Sequence, residues 1–215
     1  MADRDTGRTN RWDWEVRLRV TGTFFIIWAA FWFGSMVLSF LWPGRICLAL
    51  PGEELIPFIP WLVPLYLSLD LMVPVVALLA PDLDTLRRVY RVMLVQTGIA
   101  ALVYTLVPQR LAFDGHELGG VWDSLAHQTR SANLGWHADA PSLHVSYAFT
   151  LASLLFPRLS FNRPGMVTFL GWVWADGVMA STLFVHEHHL VDLVSGIALA
   201  WWTCRWAEGQ RMPFP

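Results

Sequence analysis

Long apolar runs, separated by short polar turns rich in proline and glycine, make up most of this 215-residue chain. Six of them approach or exceed the length of about 20 residues that a helix needs to cross a bilayer. They cover residues 20–42, 61–80, 89–107, 142–157, 165–185 and 189–207. The fourth run is short and reaches that length only with its polar first turn. The pattern predicts an all-α polytopic membrane protein, a bundle of six transmembrane helices that forms a single domain over residues 1–215.

The basic residues, all of them arginine, indicate how these helices are oriented. Twelve of the 15 lie in the N-terminal segment 1–19, in the turns after the second and fourth runs, and at the C-terminus. Because cytoplasmic loops are enriched in arginine and lysine, we expect both termini, including segment 1–19, to be cytoplasmic. The long 108–141 loop then lies on the non-cytoplasmic side. We expect an integral protein of the bacterial inner (plasma) membrane, with this side facing the periplasm or exterior.

Composition favours membrane lipids as partners. Only 15% of the residues are charged, against about 25% in soluble domains. Several of the 13 tryptophans lie where apolar and polar stretches meet, as in an interfacial belt. The formal net charge of −2 argues against a nucleic-acid partner. The sequence does not indicate an oligomeric state.

All seven histidines fall on the predicted non-cytoplasmic side: His116, His127, His137, His144, His186, His188 and His189. A cluster of histidine and aspartate would suit zinc, but in HEHH (186–189) the first and third residues do not share a helix face. A nucleophilic histidine for phosphoryl transfer is one alternative. A non-catalytic transporter or channel subunit with a proton or ion path is another. We expect chemistry on this face, with no metal and no cofactor.

The stretch PSLH (141–144) suits an anion site at the start of the fourth run. Pro141 fits the first turn of a helix, where its missing N–H would be unpaired anyway, and Asp139 or Ser142 can cap that helix. The free backbone N–H groups of the turn attract anions. His144 lies within the same turn and can reach an anion held there.

A second polar stretch begins the last run. Asp192 follows His188 at the i+4 position, so we expect both to lie on one helix face. The carboxylate can hold the N–H of one imidazole nitrogen, which fixes the tautomer and leaves the other nitrogen free to attack. An ordinary polar pair between two helices would give the same pattern.

Together the two stretches resemble the type-2 phosphatidic acid phosphatase superfamily. Its second motif is Pro-Ser-x-His, and its third is Ser-Arg-x5-His-x3-Asp. The matching residues are Pro141, Ser142 and His144 for the second motif and Ser181, His188 and Asp192 for the third. The six-run layout of that family extends over nearly the whole chain.

The resemblance implies a metal-independent enzyme that acts on a lipid phosphate or phosphodiester headgroup through a phosphohistidine at the non-cytoplasmic face. His188 would take the phosphoryl group, and Asp192 would orient it. His144 would protonate the leaving oxygen and then activate water or an alcohol. Ser142, Ser181 and the backbone N–H groups after Pro141 would bind the phosphate oxygens.

The chain departs from the family's pattern in its cations. In the first motif, Lys-x6-Arg-Pro, Arg110 is the one match; Leu111 follows it, and Val103 stands at the lysine position. In the third motif Thr182 replaces arginine, and Arg130 is the substitute we nominate. Fewer cations suit a singly charged diester better than a monoester. The PSLH motif and the weakened first motif resemble the inositol phosphorylceramide synthase branch of the superfamily. Hydrolysis and headgroup transfer to a lipid alcohol therefore both stay open.

Four further features could serve the site, and two of them, Glu187 and Trp136, are possible substrate contacts. Glu187 lies beside the predicted nucleophile, and Trp136 lies in the long loop, where it can meet the substrate or anchor the loop. Asp70 is a carboxylate inside an apolar run, and such a residue is functional by default. The proline-rich link 42–60 is expected to lie on the membrane surface near a lipid entrance.

Overall fold

The computed structural model describes residues 6–39, 41–42, 44–113, 121, 140–159 and 164–209, and of residues 6–12 only the backbone. This part of the chain contains the helices α1 (Thr6–Ser39), α2 (Val63–Leu79), α3 (Leu83–Leu106), α4 (Leu143–Thr150), α5 (Pro164–Phe184) and α6 (Leu190–Gly209). Two short strands, β1 (Ile46–Cys47) and β2 (Gln109–Arg110), pair in parallel. These helices confirm the prediction of a mainly helical architecture.

Four helices of the described chain are long and apolar enough to cross a membrane. They are Asp13–Ser39, Pro60–Leu79, Leu83–Leu106 and Pro164–Phe184. Helices of this length and composition indicate an integral membrane protein. Six crossings and cytoplasmic termini stay predictions.

The first helix begins at Thr6, well before the apolar run that starts at residue 20. Arg17 helps to explain why the polar stretch continues the helix. Its guanidinium is buried and donates to the carbonyls of Ala77 and Ala80 at the end of α2, both at 2.9 Å, and to Asp13 at 3.2 Å. These carbonyls would otherwise lack partners at a helix end.

The short helix α4 lies at the centre of the bundle, packed against α3, α5 and α6. Residues 145–148 are all buried. The helix continues through a π turn (Leu151–Leu155) and a 3-10 turn (Phe156–Arg158), where Pro157 cannot donate to the helical hydrogen-bond ladder. Since protein rather than lipid surrounds α4, its apolar run need not have full membrane-spanning length.

Gly196 allows α4 and α6 to approach closely. A Cβ at this position would lie 2.8 Å from the carbonyl oxygen of Ser142 and 3.0 Å from the Cβ of Val145. The hydroxyl of Ser146 donates to the carbonyl of Gly196 at 3.0 Å. The start of α4 is thereby held against the first turns of α6.

Backbone hydrogen bonds gather three pairs of chain segments at one end of the bundle. Ile46 N donates to Pro108 O, Ile59 N to Phe184 O, and Ser142 N to Asp192 O. The first bond joins β1 to the residue before β2, and the second joins the chain before α2 to the end of α5. The third joins the start of α4 to the start of α6. We call this the strand end of the bundle, and the other end the distal end.

Candidate active site

Ser142 occupies the N-cap of α4 at the strand end. Its side chain accepts a hydrogen bond from Val145 N at 3.3 Å, and its Oγ lies 3.1 Å from Nε2 of His188. Pro141 lies one residue before the cap rather than in the first turn, and its carbonyl accepts the hydroxyl of Tyr104 at 2.6 Å. The predicted anion-binding turn therefore begins with Ser142.

His188 is buried and lies in the link between α5 and α6, two residues before α6 begins. The prediction that His188 and Asp192 share a helix face is therefore wrong, because the helix starts only at Leu190. Its Nδ1 is 3.3 Å from Oδ2 of Asp192, which also accepts His189 N at 2.7 Å. Asp192, fully buried, thus caps the start of α6 and faces the imidazole with the same oxygen. With a proton on Nδ1 shared with Asp192, the lone pair of Nε2 faces Ser142.

Burial lowers the pKa of His188 below the ordinary value for histidine, because the charged imidazolium loses its hydration. The hydrogen bond and the charge of Asp192 oppose this shift, whereas His144 and His189 add to it. The direction favours the neutral imidazole, which is the form that can act as a nucleophile.

His144, in the first turn of α4, lies beside His188, and the two ring centroids are 6.1 Å apart. The His144 ring stacks on Tyr66 of α2 at 4.1 Å, with the tyrosine hydroxyl 3.3 Å from Nδ1. One turn further along α2, Oδ1 of Asp70 is 3.5 Å from Nε2. That distance fits an ion pair but makes no hydrogen bond.

A cavity of about 360 Å³ opens on the other side of His144. Its lining comes from α1, α2 and α4: Trp28, Trp32, Phe33, Tyr66, Leu67, Leu69, Asp70, Leu143, His144 and Tyr147. The side chain of Asp70 is 60% exposed at this cavity, against 22% for His144. We call Ser142, His188 and Asp192 the His188 cluster. His144 lies beside this cluster and also lines the apolar cavity.

Glu53 was not singled out from the sequence, yet it binds the residue next to His188. Its Oε2 is 2.5 Å from Nδ1 of His189, and its Oε1 accepts Leu190 N at 3.1 Å. Nε2 of His189 accepts the backbone N–H of Ala112 at 3.1 Å. Glu53 and His189 are both buried. The link 42–60 thus contributes a buried carboxylate to the site. The sequence pattern predicts that this link lies on the membrane surface and does not predict that contact.

Gln109 on β2 holds the residue before Pro141. Its side-chain amide donates to the carbonyl of Ala140 at 3.0 Å and accepts the N–H of the same residue at 2.5 Å. Arg45 donates to the carbonyl of Gln109 at 3.4 Å. Arg110, the predicted phosphate ligand, is exposed on the same strand, two residues before the Ala112 that contacts His189.

The remaining predicted residues have different surroundings. Ser181 is fully buried, and its hydroxyl donates to Val178 O of its own helix at 2.7 Å. Glu187 is buried beside His188, and its N–H donates to Thr182 O at 3.2 Å. Arg130 and Trp136 lie outside the described residues. Within the described ranges, no group of three or more His, Cys, Asp or Glu residues is arranged to hold a metal.

Comparison with known protein families shows a similarity to the PAP2 superfamily. The model of the PAP2 superfamily matches residues 87–211. That stretch begins in α3, continues beyond α6, and includes Ser142, His144, His188 and Asp192. None of the curated proteins matches the chain.

Proposed function

This chain belongs to the PAP2 superfamily, and we propose that it is a membrane phosphatase or phosphotransferase acting on a lipid phosphate or phosphodiester headgroup. Members of the superfamily are generally phosphatases, which supports an enzyme. One observation carries the proposal. The buried ring of His188 lies between Ser142 Oγ and Asp192, with the ring of His144 6.1 Å away.

In the first step the phosphorus of the substrate enters the gap between the two rings. Nε2 of His188 attacks it, a P–N bond forms, and the P–O bond to the lipid alcohol breaks. Asp192 keeps the proton on Nδ1 and balances the charge that develops on the ring. His144 gives its proton to the leaving oxygen. The attacking and leaving atoms lie in line across phosphorus.

In the second step His144, now neutral, removes a proton from water or from a lipid alcohol. The resulting oxygen attacks the phosphohistidine, the P–N bond breaks, and His188 returns to its starting state. The Ser142 hydroxyl and the N–H groups in the first turn of α4 bind the phosphate oxygens, since a helix start favours anions. Ser181 and Arg110 remain proposed phosphate contacts. Glu187, together with Arg130 and Trp136, remains a proposed substrate contact.

Headgroup transfer to a lipid alcohol is the second candidate function. The sequence feature that favours it is the loss of motif cations, with Thr182 and Val103 at the arginine and lysine positions. A diester phosphate carries one negative charge and needs fewer cations than a monoester. The first step is common to both functions, which differ in the acceptor of the second step.

The location that accompanies this proposal is the bacterial inner membrane, crossed six times, with both termini cytoplasmic and the active site on the periplasmic or outer face. The arginine distribution supports that orientation. The apolar helices support residence in the membrane.

The test is an assay of the purified protein in detergent. It is incubated with phosphatidic acid, polyprenyl pyrophosphate, or phosphatidylinositol plus ceramide, and products are identified by mass. We expect release of phosphate or a transferred headgroup from at least one substrate, together with an acid-labile, base-stable phosphoenzyme. An inactive wild type with no phosphoenzyme on any substrate would reject the proposed function.

A further inference from the structure

A second cavity lies at the distal end of the bundle, far from His188. It has a volume of about 340 Å³ and lies between the early turns of α1 and α3. Three arginines line it: Arg19 of α1 and Arg87 and Arg91 of α3. Nothing in the proposed phosphoryl transfer uses these residues.

The floor of this cavity is apolar and firmly packed. The rings of Phe24 and Tyr90 stack at 4.3 Å with an interplanar angle of 16°, and each residue is 2% exposed. The Tyr90 hydroxyl donates to the carbonyl of Val73 at 3.0 Å, which fixes the ring against α2. Val20 and Leu94 complete the apolar lining. A ligand would therefore meet apolar side chains below and guanidinium groups at the rim.

The rim brings guanidinium groups from two helices to one cavity. Arg87 and Arg91 are four residues apart on α3, so both lie on one face of that helix. Arg87 pairs with Asp84 at 4.0 Å, but the Asp84 side chain is 76% exposed, and an exposed pair of this kind contributes little. Arg19 lines the same cavity from α1. An anion bound in this cavity would therefore meet guanidinium groups from both helices.

The position of the cavity along the helices indicates what kind of anion it suits. Arg19 lies six residues into the apolar span Asp13–Ser39, and Arg87 four residues into the span Leu83–Leu106. At a rise of about 1.5 Å per residue, both guanidinium groups belong near the surface of a membrane crossed by these helices. Phe24 and Leu94 lie deeper along the same helices, where acyl chains would be.

We propose that this distal cavity binds the phosphate-bearing headgroup of an anionic phospholipid, with the upper acyl chain on the Phe24–Tyr90 floor. Basic pockets between membrane helices are suited to such headgroups. Arg19, Arg87 and Arg91 hold the phosphate, and the bound lipid joins α1 to α3. The site is separate from the His188 cluster and does not depend on the proposed function.

Native mass spectrometry of the detergent-purified protein tests this site with phosphatidylglycerol, phosphatidylcholine and inorganic phosphate as probes. We expect the wild type to retain phosphatidylglycerol in preference to phosphatidylcholine and to show a higher melting temperature with it. Arg19→Gln should weaken retention of phosphatidylglycerol about fivefold, the effect expected for one basic residue at a membrane surface. The triple variant R19Q/R87Q/R91Q should show no preference between the two lipids.

Arg205→Gln is the matched control, because Arg205 is exposed in the distal half of α6 and does not line the cavity. It should retain phosphatidylglycerol as the wild type does. If R19Q and R205Q lose the same amount of phosphatidylglycerol retention, the binding results from general surface charge, and the proposed site is wrong. If inorganic phosphate stabilises the wild type as strongly as phosphatidylglycerol does, the ligand is a soluble anion rather than a lipid. The single variant, at an exposed position, keeps the test valid if the triple variant does not fold.

Discussion

His188 and His144 face the same gap from two different environments. His188 lies in a buried link, and its carboxylate partner, Asp192, is four residues away and fully buried. His144 begins the central helix, and its carboxylate partner, Asp70, comes from α2 and is 60% exposed at an apolar cavity. Each histidine thus has its own carboxylate, one inside the protein and one at the cavity.

The difference follows from what each ring would have to do. A nucleophile benefits from a dry site and a fixed tautomer, because water and protonation both compete with attack. A general acid must instead reach the oxygen of an alcohol that enters and leaves with its lipid chain. The cavity beside His144 offers such a path, whereas His188 is buried and contacts Ser142 and Asp192.

His188→Asn should remove activity almost completely, by about a thousandfold or more, since a covalent step cannot be replaced by binding alone. The melting temperature in detergent should change by only a few degrees, because asparagine can still donate to Asp192. Phosphoenzyme trapping and turnover are the measurements. A phosphoenzyme formed by this variant would show that another residue is the nucleophile.

Asp70→Asn should slow the reaction according to the leaving group. For an alkyl phosphate, whose leaving oxygen needs a proton, kcat/KM should fall about ten- to a hundredfold, part of what general acid catalysis supplies. For p-nitrophenyl phosphate, whose phenolate leaves without protonation, it should change less than about threefold. Asp70→Glu, which keeps the charge, should recover part of the loss.

Asp176→Asn is the control for Asp70. Asp176 is also an exposed carboxylate in an apolar span, and it makes no hydrogen bond or ion pair to any described residue. It should be active on both substrates. An equal loss of kcat/KM on the two substrates in Asp70→Asn would mean that Asp70 only supports the fold.

Glu53→Gln should lower both stability and activity, because it breaks a buried contact with His189. Removing one partner of a buried pair costs about 3 kcal/mol, and the shift of His189 should slow turnover about tenfold through its neighbour His188. Glu54→Gln is the control, since Glu54 is exposed and, among the described residues, accepts one hydrogen bond, from Gly52 N at 3.0 Å. Thermal unfolding and turnover measure the two effects. If both variants behave alike, the link 42–60 does not hold the nucleophile.

Gly196→Ala should destabilise the crossing of α4 and α6 by about 1–3 kcal/mol, the usual cost of overpacking. The new Cβ would lie 2.8 Å from the Ser142 carbonyl and push Ser142 away from His188. Gly34→Ala, whose new Cβ would meet no atom within 4 Å outside its own stretch of helix, should not destabilise the protein, because alanine favours a helix more than glycine does. Chemical denaturation measures the difference. Equal stability of the two variants would show that α4 can shift without strain.

The smallest effect concerns pH. Attack requires neutral His188, and burial lowers its pKa, so the acid limb of kcat/KM should lie below the ordinary histidine value of about 6.5. Activity should persist as the pH falls through that value and be lost only at lower pH. An aryl phosphodiester is the suitable substrate, because its single charge does not titrate in this range and its phenolate needs little help from His144. An acid limb of kcat/KM above pH 6.5 would contradict the proposal that the nucleophile His188 is buried away from water.

The features that could be predicted from the sequence depend on residues close to each other along the chain. Apolar run length predicts membrane helices wherever lipid is the surrounding medium, as for α2 and α5. Asp192 follows His188 four positions later, close enough for the two side chains to meet although His188 precedes the helix, and Ser142 precedes His144 by two residues at a helix start. The resemblance of these residues to two family motifs supplied their proposed roles. Such relations hold in any fold in which the helices form.

Only the tertiary structure revealed the partners that come from distant parts of the chain. Glu53 is 136 residues from His189, and Asp70 and Tyr66 reach His144 from another helix. No periodicity marks these residues, because their contacts depend on how helices pack and where a link folds back. The close crossing at Gly196 and the central position of α4 also result from packing. Local backbone geometry therefore determined the pairing of His188 with Asp192, and helix packing determined that His144 faces Asp70 and lines the cavity.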